Sequence, residues 1–170
     1  MVGFISLLPE FAAPLLQAGV RYKRDDRQLA CLQNQMATSQ SSNSQDETTQ
    51  SIHARATQAA EQARQMLEKG AAGDEILTML VKAAEDVGGP GTAVCSILVL
   101  DKDGLLRNAA SPNLPADYLA AIDRLKPNPK VGTCSAAAAT GSVVVTCDFQ
   151  ADDKWAELRH LPMALGFTGA

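Results

Sequence analysis

Aromatic residues are scarce in this chain: one tryptophan, two tyrosines and four phenylalanines make up 4% of 170 residues. The hydrophobic fraction is 46%, but much of it is alanine, so any core is built from small side chains. Histidine is scarcer still, with two residues, and neither stands at ligand spacing from Cys31, Cys95, Cys134 or Cys147. The cysteines form no C-x-x-C pair, which argues against a structural zinc site. A Walker-type glycine loop, a G-x-S-x-G elbow and a histidine or carboxylate cluster are all missing, and with them the usual phosphate-binding, hydrolase and metal-centre signatures. No cofactor is implied.

Clustered positive charge is also lacking. The net charge is -4 with a pI near 5.1, and the one basic cluster, Arg21, Lys23 and Arg24, is answered at once by Asp25 and Asp26. Displacing counterions from a polyanion needs more than that, so no nucleic-acid partner is expected. Nor is there an unbroken apolar run: Pro9, Glu10 and Pro14 interrupt Met1 to Val20, which excludes a membrane span there. That segment has no basic start and no small-residue cleavage end, so it does not read as a secretory signal, and a cytoplasmic location with reduced thiols is the expectation.

What is present divides the chain in three. The length suits one domain plus an appendage. Residues 1–50 read as a weakly ordered region, with a weak helical pattern at Leu29, Leu32 and Met36, followed by a polar linker from Ala37 to Gln50 without a large apolar residue. Residues 51–70 read as a connecting helix. Ile52, Ala56, Ala59, Ala63, Met66 and Leu67 recur at spacings of three and four and so share one stripe, which Gly70 ends. An alanine stripe of this kind either lies on the domain that follows or forms a homodimer seam.

Residues 71–170 carry the organised pattern. Asp74 is placed as the N-cap of a helix burying Leu77, Leu80, Val81, Ala84 and Val87, closed by Gly88 to Gly91. Val94 to Leu100 reads as a strand, Asp101 to Gly104 as a tight turn and Leu105 to Ala110 as the returning strand. A short helix is expected within Pro112 to Leu125, then a proline-punctuated loop, a small-residue helix over Thr133 to Thr140 stopped by Gly141, and a third strand over Ser142 to Cys147. Asp152 to His160 reads as helical, and Gly166 to Ala170 begins a fourth strand.

The string Cys95 to Asp101 with Asp103-Gly104, then Gly132-Thr133-Cys134-Ser135-Ala136-Ala137, then Thr140 to Val145, then Asp148, Asp152 and Trp155, and last Leu165-Gly166-Phe167, resembles the GAF domains of bacterial sensor kinases and related signalling proteins. The likeness covers about Gly73 to Ala170. Family members usually have glycine where Ser135 stands and proline where Asp153 stands. The resemblance implies an α+β fold, a GAF-like antiparallel sheet flanked by helices, here incomplete at the C-terminus. The edge of the Val94 to Leu100 strand is then expected to be unpaired.

The resemblance also implies small-ligand or redox sensing in signal transduction, without enzymatic output. The ligand, a small molecule or small anion, would lie nearest Cys134, Ser135 and Trp155. At a helix start Cys134 would have a lowered thiol pKa; as a plain packing residue it would be a small buried hydrophobe. A bridge between Cys134 and Cys147 requires their Cα atoms within about 7 Å. Two other readings stay open: an enzyme resembling the free methionine-R-sulfoxide reductases, with Cys134 and Cys147 as the thiol pair, and a non-functional fragment of a larger sensor kinase.

Overall fold

The computed structural model describes residues 2–4, 42–88, 91 and 93–170. The expected helix at Arg27–Met36, the basic cluster at Arg21–Arg24 and Cys31 lie outside the described residues. The first helix, α1 (Ser42–Glu68), starts well before the expected Ser51. The polar stretch upstream has neither proline nor glycine, and extending a helix already nucleated downstream costs little. α1 ends where the sequence says it must: Gly70 takes φ +75°, its N–H donates to Leu67 O at 3.0 Å, and the Ala71 N–H donates to Met66 O at 3.0 Å. This pair of bonds is a Schellman closure.

α1 then folds back along α2 (Gly73–Gly88). Of the expected stripe, Ala59 is buried and Ile52, Ala56, Ala63 and Met66 are partly buried, whereas Leu67 is 68% exposed. The alanine stripe therefore lies on the domain that follows it. The middle of α1 is pinned to the far end of α2 by Arg55, whose Nη1 donates to Asp86 O at 3.2 Å. Asp74 is not the N-cap but falls, with Glu75, in the first turn of α2, where carboxylates favour the helix dipole.

The sheet has the order β1-β2-β3, formed by β1 (Val2–Phe4), β2 (Val94–Leu100) and β3 (Leu106–Ala110). β2 and β3 are antiparallel, with Leu100 opposite Leu106 and Ile97 opposite Ala110 around an irregularity at Ile97/Leu98. The turn is held by Asp101, whose Oδ1 accepts from the N–H groups of Asp103 at 2.8 Å and Leu105 at 2.9 Å. Gly104 supplies the positive φ of +75° that the chain needs to turn back. The edge of β2 that was expected to be open is taken over Val94–Ser96 by β1, which runs parallel to it.

Alternation along β2 sorts its side chains onto two faces. Cys95 and Ile97 pack with Ala110 against Val81, Leu77 and Ala84 of α2. Val94 faces the opposite way, into a cluster built on Leu114, Tyr118 and Ile122, the last two from α3 (Ala116–Ile122). The fully buried Val81 alone contributes about 1.5–3 kcal/mol on transfer from water. The described chain is thus of mixed α+β class, with helices on both faces of a small sheet.

The last third departs most from expectation. α4 (Thr133–Thr140) has the expected bounds and its Gly141 stop. The segment 142–147 is not a ladder strand. It meets the last residues through Thr146 N–H to Ala170 O at 2.5 Å and Ala170 N–H to Thr146 O at 2.7 Å, and Phe149 just beyond it donates to Thr168 O at 2.9 Å. The expected fourth strand is therefore this short return, not a sheet member. The expected Asp152–His160 helix is broken into one 3-10 turn, Asp153–Trp155, and α5 (His160–Ala164). Pro162, within α5, has no N–H to give Leu158 O, which instead accepts from the Leu161 N–H at 3.0 Å.

Candidate functional site

The three candidate residues come from two distant segments. Cys134 and Ser135 stand in the first turn of α4, which enters from Gly132 at φ 56°, and Trp155 closes the 3-10 turn. The Gly132 N–H donates to Lys154 O at 2.7 Å, which draws the two segments together. As a result Cys134, Ser135 and Trp155 all line one cavity of about 20 Å3 beneath β2. Leu98 of β2, Tyr118 and Ile122 of α3, and Leu125 and Leu158 complete its mostly apolar wall. That volume corresponds to roughly one or two water molecules.

The polar atoms of two of the three already have partners. Ser135 Oγ donates to Lys126 O at 2.8 Å and accepts from the Asn128 N–H at 2.9 Å, so it ties the proline-rich loop to α4. Trp155 is 3% exposed. Its Nε1 donates to Thr133 Oγ1 at 3.0 Å and Thr146 Oγ1 at 3.2 Å, and its ring meets Phe149 edge-on at 4.5 Å. It presents ring surface to the cavity.

Behind Trp155 lies a polar chain that sequence reasoning missed. Thr146 Oγ1 donates to Asp152 Oδ2 at 2.9 Å. Its hydrogen being committed there, Thr133 is the donor in the 3.0 Å hydroxyl pair. Asp152 also accepts from Lys154 Nζ at 2.7 Å and 2.9 Å, and from the Lys154 N–H at 3.0 Å. Burial pushes the Asp152 carboxyl up, but these bonds outweigh it and hold the group below the usual carboxylate range. Asp152 thereby caps the 3-10 turn, and Asp148 Oδ1 holds the turn before it by accepting from the Gln150 N–H at 2.8 Å. The signal pointing to this chain is general: a buried indole N–H needs an acceptor, and Thr133 and Thr146 border the two segments that enclose it.

Cys134 differs from its expectation. It is a free thiol, and burial pushes it well above the ordinary thiol range instead of below it. Desolvation of the thiolate therefore outweighs the helix start. Cys147 is disulfide-bonded, so it is neither a reduced thiol nor the partner of Cys134. Tyr118 was missed as a lining residue: it is 4% exposed, and among the described residues its hydroxyl has no hydrogen-bond partner. Burial and then the nearby Cys134 push that phenol up to about 12.

A larger open groove of about 560 Å3 lies along α1 and α2, among Gln62, Asp74, Glu75, Lys82 and Asp86, away from all three candidate residues. Among the described residues no group of His, Cys, Asp and Glu could hold a metal ion, and no helix is long and apolar enough to cross a membrane. No family model, curated protein or solved structure matches the chain. What fold and site define together is an α+β domain enclosing one small apolar cavity.

Proposed function

We propose that this chain is a GAF-like sensor module of bacterial signal transduction that binds a small ligand and carries no catalytic output of its own. The observation that carries the reading is the convergence of Cys134, Ser135 and Trp155 on one cavity, since these are the residues the GAF resemblance singles out. Within that reading Ser135 fixes the loop, Trp155 supplies an apolar wall, and Cys134 is a neutral cavity thiol. α1, lying on α2, is the element through which a change around the cavity reaches the rest of the chain. A homodimer through α1 would use its outer face, because the alanine stripe is already occupied.

The reductase reading draws less support. Its chemistry needs a reactive thiolate with a resolving thiol in reach, whereas Cys134 is held protonated by burial and Cys147 is bonded elsewhere.

The test is a titration of the purified full chain with a library of small metabolites, read by Trp155 fluorescence and by the melting temperature. A sensor gives a saturable fluorescence change and a raised melting temperature for one chemical class. Melting without a cooperative transition refutes the reading in favour of a fragment. Turnover of free methionine-R-sulfoxide that Cys134→Ser abolishes refutes it in favour of the enzyme.

A further inference from the structure

The open groove of about 560 Å3 along α1 and α2 combines an apolar floor with a charged rim. Met79 and Ala83 of α2 form the floor and are half-buried, while Asp74, Glu75, Lys82 and Asp86 stand exposed around them. Among the described residues none of these four charged side chains has a hydrogen-bond or ion-pair partner. Arg55 reaches only the carbonyl oxygen of Asp86. The charges of α1 behave differently, since Arg64 is taken up by Glu61 at 2.7 Å and by Glu68. The rim therefore sets three carboxylates against one ammonium, and the fold leaves the excess negative charge unanswered. Asp74 and Asp86 lie about 18 Å apart along α2 at 1.5 Å per residue. No single small cation spans that distance, but a second helix of about twelve residues does.

We propose that this groove docks a basic amphipathic helix of a partner protein, with its apolar side on Met79 and Ala83 and its lysines or arginines over Asp74, Glu75 and Asp86. The inference extends the sensor reading by naming the chemistry of the partner that receives its signal. Methionine suits such a floor because its unbranched side chain adapts to differing apolar surfaces. A helix laid in a groove is read by apolar anchors every three or four residues, and the rim charges fix its sign and register. Lys82, standing between the carboxylates, selects against a helix that is basic along its whole length.

The probe is a dye-labelled helix-forming peptide of about 14 residues, with leucine along one side and lysine on the other. Its controls are the same residues in scrambled order and a version with glutamate in place of lysine. Each is titrated with the full chain and followed by fluorescence anisotropy at low and high salt. The ordered basic peptide should bind saturably and at least about tenfold more tightly than the scrambled one, more weakly as salt rises, with the glutamate peptide unbound. Asp74→Asn, Glu75→Gln and Asp86→Asn together should weaken it about tenfold. Asp103→Asn, Asp153→Asn and Glu157→Gln together remove the same charge from exposed positions elsewhere and should leave it unchanged. Equal binding of ordered and scrambled peptides, equal losses in the two triple variants, or no binding at all overturns the proposal. So does a dimer in sedimentation that the groove variant dissociates, which would give the groove to a second copy of this chain. The metabolite titration follows Trp155 and the peptide titration follows α2, so the sensor reading and the partner can each fail alone.

Discussion

Thr146→Val is the most discriminating single change in the molecule. Thr146 is 2% exposed, and valine reproduces its shape while deleting the hydroxyl. Lost are the charge-assisted bond to Asp152 Oδ2 and the acceptor of the Thr133 hydroxyl, worth roughly 1.5–3 and 0.5–1.5 kcal/mol. Trp155 keeps Thr133 at 3.0 Å. Burying a methyl in place of the hydroxyl returns about 1 kcal/mol, so the net loss is about 1–3.5 kcal/mol, centred above 2. Thr146→Ser keeps the hydroxyl and loses a methyl, about 1 kcal/mol. Urea unfolding at pH 7 should therefore rank wild type above the serine variant and the serine above the valine, with a lower midpoint and unchanged slope. The melting temperature of the valine variant should fall by about 5–10 °C. The gap also depends on pH. A carboxyl whose folded pKa lies below its unfolded value contributes stability that is complete above about 3.9 and lost as pH falls through the folded value. Asp152 is such a group, so the deficit of the valine variant should shrink in acid. A valine variant as stable as wild type would show that the buried chain behind Trp155 is dispensable, and the reasoning would fail.

Other consequences follow from single positions. A Cβ on Gly169 would meet Thr146 O at 2.5 Å and Cys147 O at 2.9 Å, so Gly169→Ala should cost about 1–3 kcal/mol in the same unfolding assay. Arg124 holds φ 62° while its N–H donates to Leu106 O at 2.9 Å; Arg124→Gly should relieve the left-handed strain and raise stability by about 0.5 kcal/mol after glycine's entropy is counted. Burial, with a smaller effect from Glu85, pushes Cys95 up to about 11, and Tyr118 lies near 12. Stability is then complete below the unfolded thiol value of about 8.5 and declines as pH rises towards the folded values, a decline that Tyr118→Phe should soften at its upper end. At pH 8, iodoacetamide should alkylate Cys134 at least about a hundredfold more slowly in the native chain than in urea, since opening must come first; equal rates would place that thiol outside the cavity wall.

Legibility in the sequence followed the reach of each signal. β2 and α4 have the bounds their residues announce, because a β-branched run and a helix stopped by Gly141 are settled within a few positions. The stripe on α1 was equally plain, but periodicity marks a face without naming its partner, and α2 rather than a second chain occupies it. Val143 to Val145 carried strand propensity, yet among the described residues only the bonds at Thr146 and Phe149 join this segment to the chain's end. The three candidate residues were named only through the resemblance. Tyr118 was invisible as a lining residue because nothing local tells that its hydroxyl is buried without a partner among the described residues. The same is true of Cys134, whose helix-start position and burial act in opposite directions.

The unequal lengths of the first two helices have a mechanical consequence. α1 has 27 residues and α2 has 16, about 40 Å and 24 Å at 1.5 Å per residue. The Arg55–Asp86 contact near the end of α2 leaves the opening three turns of α1 projecting beyond it. A tilt of about 10° there would sweep the tip through roughly 3 Å, a lever that magnifies any small repacking under its fulcrum.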